Sequence, residues 1–246
     1  LWAHDATASE ALSLAVSADG RTLAVGQKDG SIRLLETYTG SERLVRRGHR
    51  SHVVSLAFAP GGTHFASGSS DGTALIWDGS PNRTPRFSDA AKWLNSPDAA
   101  SAYATVFALA QTPAESVPLL RERLLAKRTD RAVARKWIAD LDSNDFGTRD
   151  SAKKNLISHA DEVEDEVRRA AETGSAETVA RCEEILARAG RDSARKLEIV
   201  RGIEVLERAA AHADAKKLLR ELAEQPADSL LGHEARAAWK RVLAAR

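Results

Sequence analysis

The chain has 246 residues, 43% hydrophobic and 29% charged, a balance that excludes a disordered tail and leaves room for one large or two medium domains. Its 36 Lys and Arg stand against 35 Asp and Glu, with 7 basic and 8 acidic residues before Gly79 and 29 and 27 after it, so neither half has a field that would draw it to nucleic acid. The single cysteine, Cys182, excludes an internal disulfide and a cysteine-based zinc site, and no apolar run approaches the roughly 18 residues a membrane helix needs.

In chain order, Leu12, Leu14 and Val16 alternate as one face of a strand does. A turn at Asp19-Gly20 leads to a strand over 22–25, a tight turn at Asp29-Gly30 to a strand over 31–35, and Tyr38 to Gly40 turn the chain toward an outer strand around 43–45. Three more apolar runs follow at 53–58, 64–67 and 74–77, again separated by Gly-rich turns. Residues 16–36 align without a gap to residues 58–78, an offset of 42 throughout. Two copies of one sheet unit are therefore expected.

A period of this length with Gly48-His49 ahead of the second copy and Trp77-Asp78 closing it resembles the WD-repeat β-propeller. The resemblance implies a side-chain tetrad in the second blade, His49, Ser67, Asp71 and Trp77, in which the histidine and the hydroxyl satisfy an aspartate that would be costly to bury alone. The first blade keeps only a partial tetrad: Asp29 is present, Val25 and Leu35 stand where serine and tryptophan would be, and His4 is out of register. This blade is expected to rely on apolar packing. Leu1-Trp2 resembles the Ile76-Trp77 ending and is read as the close of a preceding blade. Two blades cannot close a ring that typically needs at least about four, and the chain has no methionine, so it is read as a C-terminal fragment of a longer protein.

After Asp78 the composition changes. Residues 80–87 form a polar, Pro-containing linker between the blades at 1–79 and a helical region at 88–246, where Ala, Leu, Arg and Glu recur at helical spacing. Ser96-Pro97-Asp98 predicts a serine cap with proline at the first helical position, and Thr112 to Glu115 reads as a capping box. Further helices are predicted over 131–141, 145–157, 162–171, 176–188, 194–209, 213–223 and 229–244. Arg131, Arg149 and Arg236 are each followed at three and seven residues by apolar side chains, which resembles HEAT-like repeats, and residues 141–156 with 202–208 are similar to the helical tail that follows WD repeats in large bacterial proteins. Ser158-His159 departs from that pattern, where a glycine turn is expected.

The remaining chemistry-bearing residues read as structure. His49, Ser67 and Asp71 have the composition of a hydrolase triad, but Ser67 lies within a strand run and no Gly-x-Ser-x-Gly elbow surrounds it. His49 and His52 lack a third metal ligand nearby. The acidic run 161–166 is read as the solvated start of a helix, the basic residues 127–136 as ion-paired with Glu122, Asp130 and Asp140, and Trp93, Trp137 and Trp239 as packing groups. The expected fold is thus all-β plus all-α: a partial propeller of about two WD-repeat blades, then a HEAT-like solenoid or bundle. The expected role is a non-enzymatic scaffold whose partners are other proteins, with no nucleic acid, membrane segment, cofactor, metal or small-molecule ligand, in the cytoplasm. The alternative is the regulatory region of a larger protein kinase or sigma-factor-like protein.

Overall fold

The computed structural model describes residues 9–89, 94–125, 129–188, 194–226 and 229–244. Leu1-Trp2, His4, Trp93 and residues 127–128 lie outside the described residues, as do the side chains of Asp161, Glu162 and Asp165.

Among the described residues seven strands form two antiparallel sheets. The first runs β1 (Ala11–Val16), β2 (Thr22–Gln27), β3 (Ser31–Glu36), β4 (Glu42–Arg47) in that spatial order; the second runs β5 (Val53–Phe58), β6 (His64–Ser69), β7 (Ala74–Asp78). The sequence repeat is a repeat of register as well. Leu14 pairs with Val25 as Leu56 pairs with Ser67, and both first strands carry a bulge, between Ala11 and Ser13 and between Val53 and Ser55. Gly30 is needed at its turn twice over, since its φ is +83° and a Cβ would lie 2.7 Å from the His49 carbonyl oxygen.

The sheets pack face to face. Ala24, Ile32 and Leu34 of the first meet Val53 and Phe65 of the second, and the Ser13 hydroxyl donates to the Val53 carbonyl at 2.9 Å. On its other side β1 leaves Leu14 and Val16 63% and 58% exposed, and Ile76 on β7 is 83% exposed. Within the second sheet β7 is an edge among the described residues, where no fourth strand pairs with it as β4 pairs with β3.

The rest of the described chain is helical: α1 (Ala99–Gln111), α2 (Pro113–Leu124), α3 (Arg131–Asp140), α4 (Phe146–Ser158), α5 (Ala160–Thr173), α6 (Ala176–Arg188), α7 (Ala194–Arg208), α8 (Ala213–Ala223) and α9 (Leu230–Ala244). Two starts differ from the sequence reading. The cap of α1 is Asp98, in extended conformation and accepting from the Ala100 N–H, because a carboxylate one residue beyond Pro97 reaches the free amides that Ser96 does not. At α2 the box is not formed: Thr112 makes no side-chain cap, and its hydroxyl donates back to the Ala108 carbonyl instead. Between α4 and α5 no glycine is required, since His159 joins them at φ −111° with its Nδ1 2.9 Å from the Asn155 carbonyl oxygen.

The helices bury their side chains in two separate clusters. One joins α1 and α2 to α7, α8 and α9 around Leu109, Leu120, Ile203, Leu206, Leu218 and Leu222. The other belongs to α3–α6 and holds Leu141, Leu156, Val167, Cys182 and Ile185, where burial pushes the Cys182 thiol up. Residues 129–188 therefore stand between two segments that share one core. Trp137 packs against the second cluster and Trp239 against the first. The charges in this region are more tied down than a solvated face would be. Glu166 is 7% exposed and meets Arg131 at 3.3 Å, and Glu164 pairs with Arg168 and Lys196. Arg131 thus reaches across to α5, while Asp130 caps α3 by accepting from the Ala132 N–H.

Candidate functional site

The second blade brings His49, Ser67, Asp71 and Trp77 together. The order of donors follows from chemistry. The Trp77 indole can only donate, and does so to Ser67 Oγ at 2.7 Å, so the Ser67 hydroxyl proton is directed to His49 Nε2 at 2.6 Å. His49 Nδ1–H then faces Thr73 Oγ1 at 3.0 Å and Asp71 Oδ2 at 3.3 Å. Hydrogen bonds from the Thr73 hydroxyl and the Arg50 backbone N–H, with His49 contributing less, hold the Asp71 carboxyl well below the usual carboxylate range. Gly48 admits the indole: a Cβ there would come within 2.7 Å of the Trp77 ring.

This relay has the order of a hydrolase triad but not its access. Ser67 is 3% exposed, its oxygen already accepts from Trp77, and the His49 ring is fully enclosed, so no reacting carbon can approach the hydroxyl. The network ties β5's entry, β6 and β7 to one another. Thr73, absent from the sequence reading, shares the aspartate; its position two residues past Asp71 in the tight turn was the available signal.

The first blade is held differently. Asp29 accepts from the Ser31 N–H and hydroxyl, which lower its carboxyl, and no histidine reaches it among the described residues. Gln27 Oε1 accepts from Arg33 Nε at 2.9 Å and lies 2.7 Å from the Ser31 hydroxyl oxygen, competing with Asp29 for its single proton, so apolar packing is supplemented by a polar link between β2 and β3.

The same blade carries a buried polar contact between the strands and the helices. Glu36, at the end of β3, receives both the Nε and Nη2 of Arg201 from α7 at 2.9 Å, a fork on a carboxylate. Arg43 of β4 lies 3.1 Å from Glu36 and 2.9 Å from Glu204 of α7, and stacks 4.8 Å from the Tyr103 ring, whose hydroxyl donates to the Gly79 carbonyl. Arg208 also donates to Glu204, and Arg21 donates to the Val200 carbonyl at 3.0 Å. Glu36, Arg43, Arg201 and Glu204 have side chains no more than 2% exposed. Burial alone would raise Glu204, yet Arg43, Arg208 and Arg21 outweigh it and hold the carboxyl at about 2; Glu36 is likewise lowered against its burial by Arg201 and Arg43. These ion pairs fasten the helices to the turn end of the first blade.

Sequence reasoning missed this junction. A signal existed in α7, where Leu197, Ile199, Val200, Ile203, Val205 and Leu206 put apolar side chains all round the helix although Arg201 and Glu204 sit in the middle of it; in the structure residues 197 and 199–206 are all buried. Two charges in such a helix require partners.

Residues 2–35 and 40–78 match the family described as WD domain, G-beta repeat. The chain carries WD40 repeats in two places. Similar proteins include a 66 kDa stress protein of Physarum polycephalum, 43% identical over 65 residues, which are 26% of this chain and 11% of that protein. A U3 snoRNP-associated protein-like protein of Arabidopsis thaliana is 42% identical over 69 residues, 28% of this chain and 14% of its own length. A guanine nucleotide-binding protein subunit beta-5b of Danio rerio is 32% identical over 77 residues, 31% of this chain and 20% of its own. The chain thus spans a fifth or less of these relatives. The WD40 match covers both sheets and stops at Asp78, before the helices begin. Among the described residues no group of three or more His, Cys, Asp or Glu is placed to hold a metal, and no helix is long and apolar enough to cross a membrane.

Proposed function

We propose that this chain is part of a protein-interaction scaffold in which WD-repeat blades belong to a propeller and carry a HEAT-like helical region. The observation that carries the reading is the pair of WD40 repeats whose sheets keep apolar surface free: Leu14 and Val16 on one side, Ile76 on β7 on the other. Neighbouring blades would cover such faces as the second blade covers Ala24, Ile32 and Leu34. Support for a HEAT-like stack comes from α3–α6, where the hairpin α3–α4 lies on the hairpin α5–α6, α3 against α5 and α4 against α6. The near-balanced charge favours proteins over nucleic acid as partners.

The test is affinity capture from the organism of origin with the full-length protein and with a version lacking residues 88–246. Specific partners that vanish with the deletion assign binding to the helices or to their junction with the blades. Absence of any specific partner with either version overturns the scaffold reading.

A further inference from the structure

A groove of about 670 Å³ runs between the two equivalent blade turns and the ends of three helices. One wall is the β1–β2 turn at Asp19 and the β5–β6 turn at Gly61 and Gly62; the other carries Arg208 of α7, Lys216 of α8 and Arg241 of α9. Its volume is in the range of formed ligand sites, about 300 to 1,000 Å³. The buried ion pairs next to it fix its helical wall to the first blade.

Charge decides what it can hold. Arg208 spends its Nε and Nη2 on Glu204, and Arg241 spends the same two atoms on Glu207, so each keeps a free Nη1 among the described residues. Lys216 has no carboxylate partner among the described residues. Asp19 already accepts from the Ser17 hydroxyl and the Arg21 N–H. Among the charged residues that line the groove, Arg208, Lys216 and Arg241 outnumber Asp19 and Glu207 by one, and Lys216 is the cation left without an ion-pair partner among the described residues. The opposite wall offers bare backbone: a Cβ on Gly61 would meet nothing within 4 Å, and the Gly61 N–H makes no hydrogen bond among the described residues.

We propose that this groove binds an acidic peptide segment of a partner protein, with an Asp or Glu carboxylate on Lys216 and a main-chain carbonyl on the Gly61 N–H. A carboxylate answers the unpaired ammonium, and an extended main chain answers the unpaired amide, a combination that a simple anion lacks. This rests on the scaffold reading and names one surface and one partner class for it.

Phage-displayed random heptapeptides are selected on the chain, and the enriched peptides are labelled and titrated by fluorescence anisotropy. Enriched sequences are expected to carry Asp or Glu. Binding should weaken about tenfold or more on Lys216→Glu, on Gly61→Trp, which fills the groove, and on changing the peptide acid to its amide. Thermal unfolding of both variants should match the parent. No enrichment, enrichment of neutral peptides, or binding indifferent to both variants overturns the proposal. Should Gly61→Trp fail to fold, Lys216→Glu decides alone. Full-length protein that keeps its captured partners with both substitutions would remove the groove and leave the scaffold reading standing.

Discussion

The two blades are copies of one template, and residues 42 apart show what each has done with it. Ser67 and Trp77 in the second blade correspond to Val25 and Leu35 in the first, so the second ties its strands internally while the first gives up that network. Asp78 and Glu36 also correspond. Asp78 is exposed, its carboxylate accepting from Ser80 and its carbonyl from Arg46, whereas Glu36 is buried beneath Arg201 and Arg43. Arg21, which corresponds to Thr63, is likewise turned to the helices. One blade thus invests its polar groups within the sheet and the other across a junction. The difference shows that strand-to-strand cross-links can be lost where a neighbouring domain supplies other constraints at the same turns.

The largest expected effect breaks the junction. Glu204→Ala leaves Arg43 with Glu36 as its one acid and takes from Arg208 the carboxylate it donates to, and should cost about 3 to 5 kcal/mol, whereas Asp78→Ala, at the second blade's exposed counterpart of Glu36, should cost about 0.5 kcal/mol. Urea unfolding of the two variants measures both, and equal losses would erase the contrast between the blades. The double replacement Arg43→Met with Glu204→Leu should cost less than Glu204→Ala alone, since Arg43 leaves the core together with its partner and only Arg208, nearer the surface, loses its acid.

Acid should act on the junction in the same direction. Glu204 is held at about 2 against an ordinary 4.5, so it binds its proton more weakly folded than unfolded. Its stabilising contribution is complete above about pH 4.5 and is lost as pH falls through about 2. The urea midpoint of the parent chain should therefore fall more steeply over that window than that of Glu204→Gln. Parallel declines would mean that Glu204 is not held by the arginines around it.

Smaller effects belong to the second blade and to the helix ends. Ser67→Ala should cost about 1 to 3 kcal/mol, because Trp77 loses its acceptor and His49 its donor, and Trp77 emission should shift to the red as the indole loosens. Asp98→Ala should cost about 1 kcal/mol by uncapping α1. Measured by urea unfolding, a Ser67→Ala loss no greater than that of Asp98→Ala would reduce the tetrad to an ordinary surface contact.

The strands and their turns were legible because they depend on neighbours in the chain: alternation gives the strands and Gly30 and Gly72 give the turns, whereas His49, Ser67, Asp71 and Trp77 were singled out by the resemblance to WD repeats and not by spacing. Helix existence was legible for the same reason, while the caps at Asp98 and Thr112 turned on which side chain wins a backbone amide, a competition that spacing does not resolve. What only the tertiary structure decided is the contact of Glu36 with Arg201 and of Arg43 with Glu204, 165 and 161 residues apart, and the return of α7 to the core of α1 and α2 across the intervening helices. A charge states that it needs a partner; which distant charge meets it is set by how the packed helices bring the two into reach, and no local pattern records that.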